Sequence, residues 1–392
     1  MSALGTSRRC AVACLALALA ARATAQDPAE LTPLATRVDE AIRAAAEWLI
    51  ANQSESGAFG SHHSPRPIEI FATVPGSHDA FRIGTTGLGV SSLQDFVRTR
   101  GPDGRGERAL AAIDRGIDYL LDNFDVKRVD GTEHYNVWAF GYGLRAFGEH
   151  VLQFPEDPRN GRIRAACERL VSKLGQYQDL DGGWGYLSLS GVRTYQPSFT
   201  SMSFTTATIL VGLDRAMRAG VDVPERLLER ALESVERCRT PTGSYTYGKL
   251  WNTRPVAGIN VAKGAACRTP ACQYALDLFG REVAEEDHRR SLEDLLVKHA
   301  RFQVMSLRRP IPHESWYQVS GYFYLYGHAY AANVLEGLGA EDQRRFGPTL
   351  ARAVLVCRQP DGSFWDYPMY SYHKPYGTAF ALIALTRVAL EE

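Results

Sequence analysis

Cys272 and His328 are the side chains best placed for chemistry. One opens the fourth, and the other lies near the start of the fifth, of a series of six apolar helical segments. A thiol at a helix N-terminus is drawn towards thiolate by the helix dipole, and a nearby imidazole can take its proton. Arg268, just upstream, would add positive charge. A cysteine nucleophile served by a histidine base is therefore one use of the pair. The other is structural: a small buried cysteine and a hydrogen-bonded interior histidine. The string Asp179-Leu180-Asp181-Gly182 holds two carboxylates, but in a turn, where Asp and Gly serve the backbone. The chain has no Gly-rich phosphate loop, His-Glu-x-x-His or Gly-x-Ser-x-Gly. His62 and His63 fall in a Pro-containing connection and read as loop residues.

Around the Cys/His pair lies a large aromatic set. Trp138, Tyr324, Tyr326, Tyr330 and Tyr376, with Tyr135, Phe204, Tyr322, Phe323 and Tyr372, fall at or near the starts of the apolar segments. Such walls suit isoprenoid chains and carbocations, and equally sugar stacking or plain packing. Thr86, Thr205, Thr206, Gln273, His328 and Thr378 occupy polar positions within the same segments. Polar side chains at one level of an apolar bundle must find partners or meet water. Together with Arg268 they are expected to line an open central cavity.

The elements that must position these residues come in two kinds. Segments 36–52, 107–123, 161–174, 224–238, 285–300 and 341–357 are charged on one side and apolar on the other. Segments starting at Gly84 and spanning 135–147, 203–213, 269–279, 326–338 and 376–390 are nearly free of charge in their first two turns. The two kinds alternate. Turn signals recur at Gln53, Gln178, Arg239 and Gln359, with spacings that divide into units near 60 residues. Each has Gly after a short polar run and then an aromatic residue: Phe59, Trp184, Tyr245, Phe364. Six apolar helices inside six amphipathic ones make an all-α, (α/α)6 toroid of alternating inner and outer helices. An open solenoid would leave the last inner helix wet. Three long connections, 61–81, 246–266 and 307–320, precede inner helices and should gather at one rim.

Composition bounds the rest. Hydrophobic residues make up 45% of 392, enough for a sizeable core, and net charge is zero, so no basic face points to nucleic acid. Arg8 and Arg9 precede an apolar run from Cys10 to Ala21, and Ala23-Thr24-Ala25 fits a cleavage site. Residues 1–25 therefore read as a secretory signal peptide, residues 26–392 as one domain, and the product as exported to the periplasm or beyond. The apolar run is too short for a transmembrane anchor. Five of the seven cysteines remain after cleavage, an odd number that argues against a full disulfide framework. Cys267 and Cys272 are close enough in sequence to pair.

Gln178 to Trp184, Gln359 to Trp365 and Tyr376-Gly377-Thr378-Ala379 resemble the repeat motifs of the prenyltransferase/squalene-cyclase superfamily, over roughly residues 36–390. The whole is most similar to secreted bacterial prenyltransferase/squalene-oxidase-repeat proteins of unassigned activity. The resemblance implies a ligand in the central cavity, at the inner-helix starts. The Asp-x-Asp-Asp acid of the cyclases is missing here. The prenyltransferases' Asp-x-Cys zinc motif and its following His are matched by Cys272 and His328, with Pro270 at the Asp position and Asp366 or His373 as other donors. The expected function is binding of an apolar, isoprenoid or lipid-like ligand, or of a partner segment. The alternative is a terpenoid or prenyl-transfer enzyme using Cys272 and His328, with zinc possible. A carbohydrate-active toroid is a third reading, from fold analogy alone.

Overall fold

The structure is a computed structural model. It describes residues 32–60, 77–101, 104–126, 133–185, 187–188, 201–249, 258–301, 304, 307, 323–366 and 373–390. Residues 1–31, which include the expected leader, most of the three long connections, and Tyr322 and Tyr372 lie outside the described residues.

The helices follow the expected alternation. The outer set is α1 (Leu34–Ala51), α3 (Gly104–Asn123), α5 (Asn160–Tyr177), α7 (Glu225–Glu236), α10 (Glu285–Glu293, continued by a π turn, Asp294–Lys298) and α12 (Ala340–Leu355). The inner set is α2 (Ser77–Arg100), α4 (Asn136–Gln153), α6 (Ser203–Arg218), α9 (Thr269–Asp277), α11 (Tyr324–Glu336) and α13 (His373–Arg387). A short α8 (Ala262–Ala265) precedes α9. A two-residue ladder pairs β1 (Glu133–His134) with β2 (Leu187–Ser188).

Packing closes the ring. Each inner helix touches the next, and α13 packs on α2. The first outer helix, α1, backs the last inner one, α13. Outer helices wet one face, as the buried residues of α1 show: Val38, Ala41, Ile42, Ala45, Ala46 and Leu49 lie at helical spacing. Inner helices are buried almost throughout, as in α11 from Tyr324 to Leu335.

One boundary differs from expectation. The first inner helix starts at Ser77, not Gly84. Asp79 in its first turn suits the positive helix end, and the added turns supply the Arg82 carbonyl to which Thr86 bonds.

Candidate functional site

The four recurrent turns are built alike. In each, a backbone N–H of a glycine reaches the carbonyl three residues back: Gly57 to Ser54, Gly182 to Asp179, Gly243 to Thr240, Gly362 to Gln359. All four glycines have φ between 82° and 92°, the left-handed region. At Gly182 a Cβ would also lie 2.2 Å from the Arg230 carbonyl oxygen, so the turn abuts the next outer helix. Gln53 and Gln178 each donate to their own turn glycine and to the following outer helix, at Ala112 O and Leu227 O, all at 2.8 Å.

The turn aromatics are then clamped by inner-helix threonines. Phe59 N–H donates to Thr86 Oγ1 (2.9 Å), Trp184 N–H to Thr206 Oγ1 (3.0 Å) and Phe364 N–H to Thr378 Oγ1 (2.9 Å). Each threonine hydroxyl donates in turn to the carbonyl four residues earlier. The three are buried. The expectation that these threonines face an open cavity is therefore corrected: their hydroxyls are consumed within the wall. Phe364, not Trp365, is the counterpart of Trp184. Thr205 differs, being buried with a hydroxyl that has no partner among the described residues.

Gln273 also points outward. Its Nε2 donates to Asp287 O (3.0 Å) and its Oε1 accepts from Ser291 Oγ (2.7 Å), both on outer helix α10. Arg268 is buried among backbone carbonyls, those of Tyr245 (3.0 Å), Gly264 (3.2 Å) and Ile259. It fastens the chain before α9 instead of facing a lumen. Tyr324 likewise reaches outward, its hydroxyl donating to Ala353 O of α12 (3.0 Å).

Cys272 and His328 each have other neighbours. Cys272 is fully buried beside Cys238 and the Ser203 hydroxyl, and burial pushes its thiol well above the ordinary range. His328 Nδ1 meets Tyr324 O at 2.7 Å and its ring lies on that of Tyr324. Burial holds the imidazole down at about 4, so it is neutral. No hydrogen bond or ion pair among the described residues joins the two. No group of three His, Cys, Asp or Glu suited to a metal occurs among the described residues either. Asp366 is committed to the Leu325 N–H (3.0 Å), at the start of α11. The other expected donor, His373, has its side chain outside the described residues. Cys267 and Cys272, close enough in sequence to pair, form no disulfide, and all five described cysteines are buried.

What the ring does gather is aromatic. Tyr142 (α4), Tyr326 (α11) and Phe380 (α13) meet at centroid distances of 6.1 and 5.7 Å. Phe204 (α6) contacts Trp138 (6.1 Å) and Phe323 (4.9 Å), and Tyr376 contacts Phe380 (5.0 Å). Tyr326 also spans to α6, its hydroxyl 3.1 Å from Thr208 Oγ1. Tyr330 lies one turn below, 4.8 Å from Tyr326. The rings touch across the ring axis, while Trp138, Tyr135 and Tyr376 at the inner-helix starts remain half-buried.

A second group, absent from the sequence reading, occupies the opposite ends of the inner helices. Asp95 (α2) accepts from Arg387 (2.5 Å) and Arg98 (2.8 Å) and lies 4.0 Å from Arg145. Arg145 Nε donates to Glu149 (3.0 Å), which is 3.6 Å from Arg215. Arg215 also pairs with Asp214 and donates to the Tyr274 hydroxyl (2.9 Å). Burial alone would raise Asp95, but Arg387 and Arg145 outweigh it and hold the carboxyl below its usual value. The signal was three charges late in otherwise apolar helices.

No family model matches the chain. Alpha-2-macroglobulin of Thermotoga maritima is 35% identical over 83 residues, which is 21% of this chain and 5% of that protein's length. An alpha-1,6-mannanase from Salegentibacter sp. HEL1_6, solved with alpha-1,6-mannotriose, superposes with a TM-score of 0.59 at 9% identity, covering 89% of this chain and 99% of its own. A type II terpene cyclase from Scytonema, solved with geranylgeranyl dihydroxybenzoate, gives 0.52 at 13% identity, covering 91% and 99%. A cellobiose 2-epimerase from Spirochaeta thermophila gives 0.53 at 10%, covering 86% and 93%. At these identities the likeness is one of fold: the chain is an α/α toroid, the architecture shared by those terpene cyclases and glycosidases.

Proposed function

We propose that this chain is an exported binding toroid that takes an apolar, isoprenoid- or lipid-like ligand, or an apolar partner segment, at the aromatic end of its inner ring. The observation that carries the reading is the cluster of rings from α4, α6, α11 and α13, with Trp138 and Tyr376 half-buried at its edge. Rings in this density offer area and polarisable faces to a hydrocarbon chain, and few hydrogen bonds to a sugar. That one toroid neighbour was solved with a geranylgeranyl compound is in keeping with this. Binding is favoured over thiol catalysis because a buried, protonated Cys272 with no imidazole partner is a poor nucleophile. The leader pattern of residues 1–25 supports export; N-terminal sequencing of the exported protein should begin at Gln26.

The test is titration with geranylgeraniol, followed by tryptophan fluorescence, alongside mannotriose. Saturable quenching by the isoprenoid, lost in Trp138→Ala, is expected. Saturable binding of the sugar alone would overturn the reading.

A further inference from the structure

We propose that Arg145, with the hydroxyls of Tyr330 and Tyr274, forms a polar seat beneath the aromatic cluster that receives the carboxylate head of an amphiphilic ligand. The inference rests on the binding reading above and names the ligand's chemistry. Arg145 is on α4, three residues after Tyr142 and so on the same face, and Tyr330 follows Tyr326 by four on α11. The second tier is therefore directly below the rings that meet across the axis. Glu149 lies between Arg145 (3.0 Å) and Arg215 (3.6 Å), Arg215 donates to the Tyr274 hydroxyl (2.9 Å), and the Tyr274 and Tyr330 rings are 6.2 Å apart, so the groups share one neighbourhood.

Three observations mark the seat as short of acceptors. The Tyr330 hydroxyl is buried, in a residue 1% exposed, and has no hydrogen-bond partner among the described residues. The neighbouring Thr208 hydroxyl donates to Phe204 O and lies 3.1 Å from the Tyr326 hydroxyl. Tyr274 accepts from Arg215, which leaves its own proton free to donate. Among the described residues Arg145 is hydrogen-bonded through Nε, to Glu149; Asp95, 4.0 Å from Nη2, accepts from Arg387 and Arg98. The buried charges balance, Arg145, Arg215 and Arg387 against Asp95, Glu149 and Asp214, so the case for the seat rests on its hydrogen-bond donors. Glu149 Oε2 is itself unpartnered, so the seat also holds one acceptor. Buried donors without acceptors are costly, and a carboxylate can satisfy two of them at once. To reach the seat the chain must turn Tyr142, Tyr326 and Phe380 aside, so binding should alter tyrosine as well as tryptophan emission.

The experiment compares geranylgeranoic acid, geranylgeraniol and the hydrocarbon squalene on the full chain at pH 7, by fluorescence and calorimetry. The acid should bind about tenfold tighter than the alcohol. Tyr330→Phe, which removes one oxygen and keeps the ring, should erase most of that preference, with the acid losing far more affinity than squalene. Arg145→Gln should do the same more strongly, its folding checked by circular dichroism. Equal affinity for acid and alcohol, or a Tyr330→Phe protein with the preference intact, would overturn the seat while sparing the apolar site. Binding of none of the three would sink both.

Discussion

Arg387 Nη1 donates to Asp95 Oδ2 at 2.5 Å, joining the last inner helix to the first across 292 residues. Both side chains are only 7% exposed. The pair is the electrostatic seam of the closed toroid, at the helix ends where backbone carbonyls make arginine welcome. Arg387→Met leaves a buried carboxylate with Arg98 and a distant Arg145. The expected cost is about 3–5 kcal/mol, measured by urea unfolding. The Asp95→Asn/Arg387→Met double variant should lose less than the two single losses added. Additive losses would show that the two groups do not act together.

The same carboxylate makes stability depend on acid. Asp95 titrates lower in the folded chain than its unfolded value of 3.8. Its contribution is therefore complete above pH 3.8 and is lost as pH falls through the folded value. Wild type should lose stability below about pH 4, and Asp95→Asn should show a shallower fall over that range. Parallel curves for the two proteins would deny Asp95 this role.

The threonine clamp is tested at Thr378. Valine there keeps the shape but leaves the buried Phe364 N–H without its acceptor. A loss of about 1–3 kcal/mol is expected, with Thr378→Ser near wild type. If serine and valine cost the same, the hydroxyl is not what holds the turn.

These two devices show what the amino-acid order could reveal. Inner and outer helices were legible because burial on all sides removes charge from the early turns of 135–147 and 203–213, while one-sided burial leaves a 3.6-residue stripe in 36–52. Thr86, Thr206 and Thr378 stood out as polar in apolar segments, but their role did not. The partner of Thr86 is a backbone N–H 27 residues away, and a backbone group leaves no mark in sequence. Gln273 was misplaced for a related reason: on a short helix the inward and outward faces are only about two residues apart. Asp95, Arg145 and Arg387 passed as ordinary late-turn charges, because nothing local links positions so far apart.

His328 gives a direct check on the interior. Its imidazole is held at about 4, against 6.5 for a free histidine, by burial. The depressed value means that the unfolded chain takes up a proton first. Stability contributed by neutral His328 is full above pH 6.5 and drains away down to about pH 4. Its NMR resonance should stay in the neutral form at pH 5.5. An imidazole titrating near 6.5 would place His328 in water, and would reopen the case for a solvated cavity.

Thiol reactivity separates a buried cysteine from a nucleophile. Cys167, Cys238, Cys267, Cys272 and Cys357 are all buried and outside any disulfide, and burial raises the thiols of Cys267 and Cys272. A thiolate is the reacting species, so both access and ionisation oppose attack. Native protein at pH 8 should release almost no chromophore from a disulfide reagent such as 5,5′-dithiobis(2-nitrobenzoate), and should react fully only after denaturation. Cys272→Ser should not change the native trace, because that thiol is silent already. Fast, single-site labelling that disappears in Cys272→Ser would mean the helix end opens to solvent. A thiol enzyme would then be the better reading of this chain.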